Sequence, residues 1–470
     1  MRPRASRLRR GIAWSGAHLV ATRGLAMLTR IGLAALLAPE QFGLFAMVAV
    51  SLGLVTTLAD FGLQGALVQR AGAGRQALAS SAFWFLAGTG AALTAGAALA
   101  GAPLLGHLYG EPRLLGPAQA LSAGILLSAL AVVPTSLLLR QGRVARLVVS
   151  EFAGVAVGAA AAFSAATAGL GVWSLVAQQL AAGTLTFGLV WWQSGWRPAF
   201  RARWSTLRSL MPFSLSMTGT KAVTYVRMNL DNLFVGALHG AAALGVYALA
   251  FTFTEGLRSQ VATAASRVML PVYSQHQHAP DVLREHYLRA TRVMLLALAP
   301  LALAAFLYAQ PLCSSVLGPG WADAVKPMQI LAVGGLLHAA SGPAAEVLQA
   351  LGRPQLLFRM AWRNLLGFAL PCMAALTWWH GAEGAAYAYT LTVATQRVML
   401  HRALAESIGL QARHVLGAIA GPLGLCAGVL LMAHALRPHT ATGLEAILTG
   451  LAYLYGAKRL IAPLPGRGVS

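Results

Sequence analysis

The chain has 470 residues, of which 57% are hydrophobic and only 10% are charged. A soluble protein carries about 25% charged residues, so this composition excludes a soluble chain and favours one whose surface faces lipid. The net charge of +22 would suit nucleic acid, but the arginines lie between apolar runs, as in membrane proteins oriented by their loops. The three cysteines lie far apart without a metal-binding spacing, so no metal site is predicted.

Fourteen apolar runs follow one another along the chain, each about the 20 residues that a membrane-spanning helix needs. The predicted spans lie near 11–38, 42–69, 78–106, 114–139, 147–169, 171–193, 209–238, 243–270, 290–316, 327–350, 358–380, 384–402, 413–436 and 441–461. The sequence therefore predicts an all-α polytopic membrane protein with about 14 transmembrane helices.

The connections between these spans alternate in charge. Every inner connection is basic, whereas the basic residues of the outer connections are only Arg113, Lys326 and Arg437. Because basic loops stay in the cytoplasm, this alternation predicts that both termini are cytoplasmic. The outer connections are short, and the longest inner loop is predicted at about 273–287, so no separate folded domain is expected on either side.

An internal repeat is visible in the fourth and tenth spans. Residues 117–129 read PAQALSAGILLSA and residues 327–339 read PMQILAVGGLLHA. The same offset aligns Gly142 with Gly352. The match predicts that the first six helices are duplicated in the next six. Since six is even, both copies enter from the same side, and an axis along the membrane normal should relate them.

A weaker match joins FGLFAMV at 42–48 to LGVYALA at 244–250. Together the two matches divide the chain into three parts. We predict an N-terminal six-helix lobe at 1–200, a C-terminal six-helix lobe at 201–408, and two additional helices with a tail at 409–470. The two lobes are expected to surround a central cavity.

Most charges fall at helix ends, where a long side chain can reach water, but eight are singled out here as lying deeper in predicted spans, where a charge costs at least about 2.5–3.5 kcal/mol unless it faces water or a partner. The cations are Arg23, Arg30, Lys221, Arg227 and Arg258. The acids are Asp60, Asp231 and Glu255. All eight belong to the first, second, seventh and eighth spans, the opening pair of each repeat. We therefore expect them to line a cavity with a cationic surplus.

Two interpretations of these charges stay open. In the first, the five cations bind an anionic headgroup, because the guanidinium fork matches phosphate oxygens, and the three acids bind a coupling ion. In the second, the charges pair internally, Arg227 with Asp231 and Glu255 with Arg258. Arg23 has no acid on its own helix. The polar loops contain no catalytic motif, so no catalytic residue is predicted and the chain is not expected to be an enzyme.

Several segments resemble a known family. RIGLAALLAPEQFGLFAMVAVSLGLVTTLADFGLQGALVQR at 30–70 is similar to the opening two helices of Wzx-type oligosaccharide flippases. The PEQFGL turn at 39–44 and ADFGLQGALVQR at 59–70 contribute most of the likeness. LGVYALA at 244–250 and LGRPQLLF at 351–358 extend it into the second half. These flippases form the polysaccharide-exporter branch of the MATE-like superfamily.

The resemblance implies a two-lobed bundle with a central cationic cavity that works by alternating access. It also implies an undecaprenyl-diphosphate-linked oligosaccharide as substrate, moved from the cytoplasmic to the periplasmic leaflet for exopolysaccharide, O-antigen or capsule synthesis. Arg23, Lys221 and Arg258 are the positions that would bind the headgroup. The location implied is the bacterial inner membrane, and the polysaccharide polymerase and export machinery are candidate partners. No cofactor is predicted, while H⁺ and Na⁺ both stay open as coupling ions.

Two other functions are compatible with the sequence. A cation-coupled multidrug exporter of the same fold would favour acidic groups in its cavity, because its substrates are cationic. A membrane glycan polymerase or ligase would need catalytic polar groups, usually on a sizeable outer loop. The surplus of buried cations and the short outer loops favour the flippase over both.

Overall fold

The structure, a computed structural model, describes residues 21–69, 75–200, 208, 211–436 and 442–461. The predicted start of the first span at 11–20 and the outer Arg437 lie outside these residues. Within them the regular secondary structure is helical throughout, and helices occupy all fourteen predicted spans, several of which contain two consecutive helices. Eight helical stretches are individually long and apolar enough to cross a membrane. The predicted fold class is confirmed.

The contacts divide the chain into two compact units, Met1–Gly245 and Val246–Ser470. The first unit contains α1 (21–36), α2 (Pro39–Ala59), α3 (Leu63–Gln69), α4 (Arg75–Gly96), α5 (Ala102–Tyr109), α6 (Leu115–Arg140), α7 (Val144–Thr167), α8 (Val172–Ser194) and most of α9 (Met211–Phe251). The predicted lobes 1–200 and 201–408, with the appended 409–470, stay a prediction.

The second unit continues from the end of α9. It contains α10 (Leu257–Gln275), α11 (Pro280–Leu307), α12 (Val325–Ala340), α13 (Ala344–Ala350), α14 (Pro354–Asn364), α15 (Leu370–Ile408), α16 (Ala412–Leu436) and α17 (Thr442–Ile461). The last two predicted spans are thus present as helices. Tyr453 of α17 anchors them to α11, because its hydroxyl donates to the Leu296 carbonyl oxygen at 2.8 Å.

Short irregular turns of helix join these elements. Wider π turns occupy Ala97–Gly101, Thr252–Gly256, Leu312–Leu317 and Leu365–Ala369. Tighter 3₁₀ turns occupy Pro112–Leu114 and Pro319–Ala324, and a single α turn occupies Ala309–Pro311. Such turns leave the main chain hydrogen-bonded, as a chain in lipid requires.

Two of the predicted outer connections are reduced to a single kinked glycine. Within α9, Gly240 has φ 77° and ψ −170°, and within α15, Gly381 has φ 56° and ψ −131°. Only glycine adopts such angles without strain. The seventh and eighth spans, and likewise the eleventh and twelfth, therefore follow each other across one residue.

The predicted inner loop at 273–287 is wrong. Helix α10 continues to Gln275 and α11 already begins at Pro280, so only residues 276–279 connect them. The prediction failed because it ended each helix with its apolar run. A helix that leaves the membrane can continue in water, and here the Asp281 carboxylate accepts a hydrogen bond from Arg284 one turn later, at 2.7 Å.

The predicted repeat is supported by matching backbone geometry. Gly142 and Gly352 end α6 and α13 with φ of 69° and 71°. After each glycine, the next amide donates to the carbonyl five residues earlier, at 3.0 and 2.9 Å. This is the glycine-terminated helix cap in which a left-handed residue satisfies the last carbonyls. Two segments 210 residues apart thus end in the same conformation.

The weaker sequence match also has a structural counterpart, within the first unit. A Cβ atom on Gly43 would lie 1.6 Å from the Ala241 carbonyl oxygen, and one on Gly245 would lie 1.8 Å from the Pro39 carbonyl oxygen. Gly245 lies 202 residues after Gly43, and Ala241 lies 202 residues after Pro39. The two contacts are therefore reciprocal, as at a two-fold axis. Only glycine permits this approach of backbones.

Helices α7 and α8 pack equally closely. A Cβ atom on Gly154 would lie 2.0 Å from Thr186 Oγ1, and one on Gly158 would lie 2.7 Å from the Gln178 carbonyl oxygen. Small residues four apart let two membrane helices approach where lipid provides no hydrophobic drive for association. This packing sets the position of the α7 side chains described below.

Candidate functional site

The first charged site lies where the second predicted span breaks. Helix α2 ends at Ala59 and α3 begins at Leu63, and Phe61 and Gly62 between them have φ of 45° and 64°. Asp60 stabilises the break, because its Oδ1 accepts a hydrogen bond from the Gly62 amide at 2.8 Å. An aspartate that bonds the amide two residues later favours such a turn over a continued helix.

Helix α9 packs directly on this break. A Cβ atom on Gly62 would lie 2.5 Å from the Ser214 carbonyl oxygen. Two turns further along α9, Lys221 Nζ donates to Asp60 Oδ2. The side chains of Lys221 and Asp60 are 36% and 17% exposed. Two predicted site residues, 161 positions apart, are thus brought together as an ion pair.

Arg23 of α1 also has an acidic neighbour on another helix. Its Nη2 lies 3.5 Å from Glu151 Oε1 of α7, with the two side chains 50% and 45% exposed. Arg30, further along α1, is exposed. Glu151 was missed in the sequence analysis, although its position within the predicted span 147–169 is the same signal that selected the other acids.

Arg227 and Asp231 of α9 do not form the pair considered from the sequence. Arg227 is exposed and forms no ion pair with any residue that the structure describes. Asp231 is only 4% exposed, and its Oδ1 accepts the amide hydrogen bond of Asn232 at 2.9 Å. The i,i+4 spacing allowed the contact, but the Arg227 side chain is exposed whereas that of Asp231 is buried.

Glu255 and Arg258 in the second unit do form the expected pair. Glu255 lies in the π turn Thr252–Gly256, and its Oε2 accepts hydrogen bonds from Arg258 Nε at 2.5 Å and from the Tyr389 hydroxyl at 2.8 Å. The side chains of Glu255 and Arg258 are 2% and 12% exposed. Glu255 Oε1 is buried without a hydrogen-bond partner among the described residues.

Two further polar pairs in the second unit were missed. Arg397 Nη2 lies 3.1 Å from His338 Nδ1, and the Ser266 hydroxyl donates to Glu346 Oε1. Arg397 lies near the end of the predicted span 384–402, where the sequence favours a charge of the inner connection. The structure instead places it about three turns inside α15, which continues to Ile408, because this helix extends beyond its apolar run as α10 and α11 do.

Exposure separates the predicted cations of the first unit from the predicted acids, whereas Arg258 in the second unit is only 12% exposed. Arg23, Arg30 and Arg227 are exposed and Lys221 is about one-third exposed. Asp60, Asp231 and Glu255 are 17%, 4% and 2% exposed. The predicted acids are therefore mostly buried, while the first unit presents positive charge at its surface, where Arg23 pairs with Glu151 and Lys221 with Asp60. Such a surface attracts an anion.

These features define a many-helix membrane protein of the fold shared by flippases and MATE transporters. The lipid II flippase MurJ in an inward closed conformation superposes with a TM-score of 0.74 at 12% identity, over 95% of this chain and 97% of that one. An inward-facing multidrug resistance MATE family transporter of the MOP superfamily superposes with a TM-score of 0.63 at 14% identity, over 83% and 96%.

The sequence identifies the family within this fold. The family described as "Polysaccharide biosynthesis protein" matches residues 32–326, which is more than half of the chain. The chain belongs to this family and is a membrane protein with many spanning helices. The resemblance to polysaccharide exporters seen in the sequence is confirmed.

Named relatives come from several bacterial polysaccharide systems. The teichuronic acid biosynthesis protein TuaB of Bacillus subtilis is 27% identical over 192 residues, 40% of each chain. The succinoglycan biosynthesis transport protein ExoT of Rhizobium meliloti is 24% identical, over 75% of this chain and 71% of that one. The lipopolysaccharide biosynthesis protein WzxC of Escherichia coli is 23% identical, over 74% and 71%. The chain thus spans under half the length of TuaB.

Proposed function

We propose that the protein is a flippase that moves an undecaprenyl-diphosphate-linked oligosaccharide from the cytoplasmic to the periplasmic leaflet of a bacterial inner membrane. The observation that carries this proposal is the exposure of Arg23, Arg30 and Arg227 within membrane-spanning helices whose acids are buried. The names of ExoT and WzxC, a succinoglycan transport protein and a lipopolysaccharide biosynthesis protein, support exopolysaccharide, O-antigen or capsule synthesis as the pathway.

The physical requirement is compensation of a diphosphate during its passage through the bilayer. An anion stripped of water loses many kcal/mol of solvation free energy, so cations must replace the water. Arginine suits this role, because its planar fork donates two parallel hydrogen bonds to a phosphate and it never loses its charge. The exposed arginines supply such donors at successive positions, and alternating access moves the bound headgroup between leaflets.

The buried acids supply a second component of the proposal, coupling to H⁺ or Na⁺. Glu255 is the clearest candidate, because one of its carboxylate oxygens is hydrogen-bonded and the other has no partner among the described residues. We place the coupling ion at this unpartnered oxygen. Asp60 already accepts hydrogen bonds on both oxygens, so its role is closer to charge pairing.

A cation-coupled multidrug exporter is the second candidate, favoured by the fold likeness to a MATE transporter. A cationic drug would need an accessible carboxylate to balance it. Among the predicted acids, Asp231 and Glu255 are nearly fully buried, and the accessible carboxylate of Glu151 is already balanced by Arg23. The distribution of exposed charge favours the anionic substrate.

Arg227 provides the sharpest test, because it has no ion pair among the described residues and its neutralisation leaves no acid unpaired. We expect Arg227→Gln to lower the flipping rate in proteoliposomes about tenfold or more, the effect of losing a hydrogen bond to a charged group. Flipping is measured by the access of an impermeant lectin to an undecaprenyl-diphosphate-linked glycan. Arg284→Gln, at the polar end of α11, is the matched control and should be unchanged.

A combined variant extends the test to the other cations. Lys221→Gln is made together with Asp60→Asn, so that no buried charge is left alone, and Arg23→Gln is added to it. Undiminished flipping by this variant and by Arg227→Gln would refute the cationic site. Export of a cationic dye by the wild-type protein, with no movement of the glycolipid, would support the drug exporter instead.

A further inference from the structure

The first unit contains a cavity whose lining includes none of the predicted site residues. It lies among α2, α6, α7 and α8 and has a volume of about 450 Å³, within the 300–1,000 Å³ range of small-molecule pockets. Small residues such as Gly53, Gly124 and Gly183 form part of its wall. A Cβ atom on Gly124 or Gly183 would meet nothing within 4 Å, so this space is open.

The polar groups of the cavity belong to one carboxylate, one amide and three hydroxyls. They come from Thr56, Ser128, Glu151, Gln179 and Thr186. The Thr56 hydroxyl donates to the Leu52 carbonyl oxygen at 2.9 Å, and that of Thr186 donates to the Ser150 carbonyl oxygen at 3.4 Å. Their lone pairs therefore stay available, and the cavity presents mainly hydrogen-bond acceptors together with the Gln179 amide donor.

This chemistry narrows the class of ligand. A phosphate inside the cavity would meet the Glu151 carboxylate and none of the lining residues is a cation, and an acyl chain would leave the carboxylate and the amide desolvated without partners. A sugar ring offers several hydroxyl donors to the acceptors and an acceptor to the amide. Phe187 adds an aromatic ring to the wall, against which the apolar face of a sugar can pack.

The neighbouring cation indicates which sugar of the glycan would bind in the cavity. Arg23 Nη2 lies 3.5 Å from Glu151 Oε1, so a phosphate-binding and a hydroxyl-binding group are adjacent at the cavity. In a glycosyl diphosphate, a single oxygen joins the sugar ring to the first phosphate. The spacing of the two side chains therefore suits the junction between headgroup and glycan. A phosphate that engages Arg23 would also release Glu151 from its ion pair.

We propose that this cavity binds the sugar ring attached to the diphosphate, with Glu151 and Gln179 bonding its hydroxyls while Arg23 bonds the adjacent phosphate. The proposal rests on the proposed function, in which Arg23 binds the diphosphate. It adds a determinant of glycan specificity within the first unit, separate from the cations that bind every diphosphate lipid.

The test compares the affinity of the purified full chain for two kinds of probe. One is undecaprenyl diphosphate, and the other is undecaprenyl diphosphate that carries a single glucose, galactose or N-acetylglucosamine. Glu151→Gln and Gln179→Ala should each weaken binding of the preferred glycosylated probe about tenfold and leave the bare lipid within about twofold. Arg23→Gln should weaken both probes.

The chain offers a matched control and a second, steric variant. Arg113 and Glu40 form another ion pair between helical elements, 55% and 47% exposed, and Glu40→Gln should change neither affinity. Gly183→Leu places a side chain in the open space of the cavity and should reproduce the selective loss even where Glu151→Gln perturbs folding.

The outcomes separate this proposal from the function on which it rests. Equal losses for bare and glycosylated lipid in Glu151→Gln and Gly183→Leu would overturn the sugar site, as would unchanged affinities in both or a wild-type protein that prefers no glycosylated probe. Unchanged affinity of Arg23→Gln for the bare lipid would overturn the role of Arg23 in the diphosphate site. In that case, a selective loss of affinity for the glycosylated probe in Gly183→Leu would still support the sugar site by itself.

Discussion

The Glu255–Arg258 pair allows a quantitative test of how buried charge is tolerated in this protein. Glu255 is 2% exposed and Arg258 12%, so each is stabilised mainly by the other. Arg258→Met leaves a buried carboxylate with only the Tyr389 hydroxyl as partner, and Glu255→Gln leaves a buried guanidinium without a counter-charge. Loss of one partner of a buried pair costs about 3–5 kcal/mol.

The double variant distinguishes pairing from independent effects. With Glu255→Gln and Arg258→Met together, no charge is left alone, and the glutamine amide can still accept the Tyr389 hydrogen bond. Replacement of a whole buried pair by uncharged residues is often nearly neutral. We therefore expect the double variant to be more stable than either single variant, with an interaction free energy of at least about 2 kcal/mol.

The assay is the free energy of unfolding of the full chain in detergent micelles, followed by tryptophan fluorescence. Asp281 and Arg284 provide the control cycle, because they have the same i,i+3 spacing but Asp281 is 83% exposed. A surface pair contributes about 0–1 kcal/mol. If the Glu255–Arg258 cycle gives no larger interaction than the control cycle, the reasoning from burial is refuted.

The same variants separate a structural role from a substrate role for Arg258. Because Glu255 is also the proposed coupling acid, the flipping rate of the double variant is compared with that of Glu255→Gln and not with that of the wild type. If Arg258 serves only its partner, the double variant should flip the glycolipid at least as fast as Glu255→Gln. If Arg258 also binds the headgroup, the double variant should flip more slowly than Glu255→Gln although it is more stable.

Three further predictions concern the backbone and the outer connection. Gly43→Ala should destabilise the protein strongly, because its Cβ would lie 1.6 Å from a carbonyl oxygen, whereas Gly88→Ala, with nothing within 4 Å, should unfold like the wild type in the same thermal assay. Gly240→Ala should lower the free energy of chemical unfolding by about 1–3 kcal/mol, because φ of 77° strains any other residue. An unchanged free energy of unfolding would mean that the backbone at the kink relaxes. The Arg113 hydrogen bonds hold the pKa of Glu111 below its ordinary value of 4.5, so this pair stabilises the fold above that pH and loses its contribution as the pH falls through the lowered pKa. Thermal stability of Glu111→Gln should accordingly depend less on pH in the acidic range than that of the wild type.

The spans and the repeated segments could be predicted from the sequence because each of them depends on residues that are close together in the chain. Lipid acts on each stretch of about 20 residues by itself, so an apolar run indicates a spanning helix wherever its neighbours lie. The glycines at 142 and 352 show the same: each needs a left-handed conformation for its own helix cap. Helix ends were less predictable, since α10, α11 and α15 continue into polar sequence beyond their apolar runs.

The partners of the charged residues were decided only by the tertiary structure. Lys221 pairs with Asp60 across 161 positions, and Arg23 pairs with Glu151 on a different helix, whereas Arg227 does not use the acid one turn away. An ion pair depends on a distance of a few ångströms between two side chains, and that distance is set by helix packing rather than by spacing along the chain. The sequence by itself thus determined that this protein crosses the membrane many times and contains buried charge. The packing of α1, α7 and α9 decided which of that charge is neutralised internally and which stays exposed.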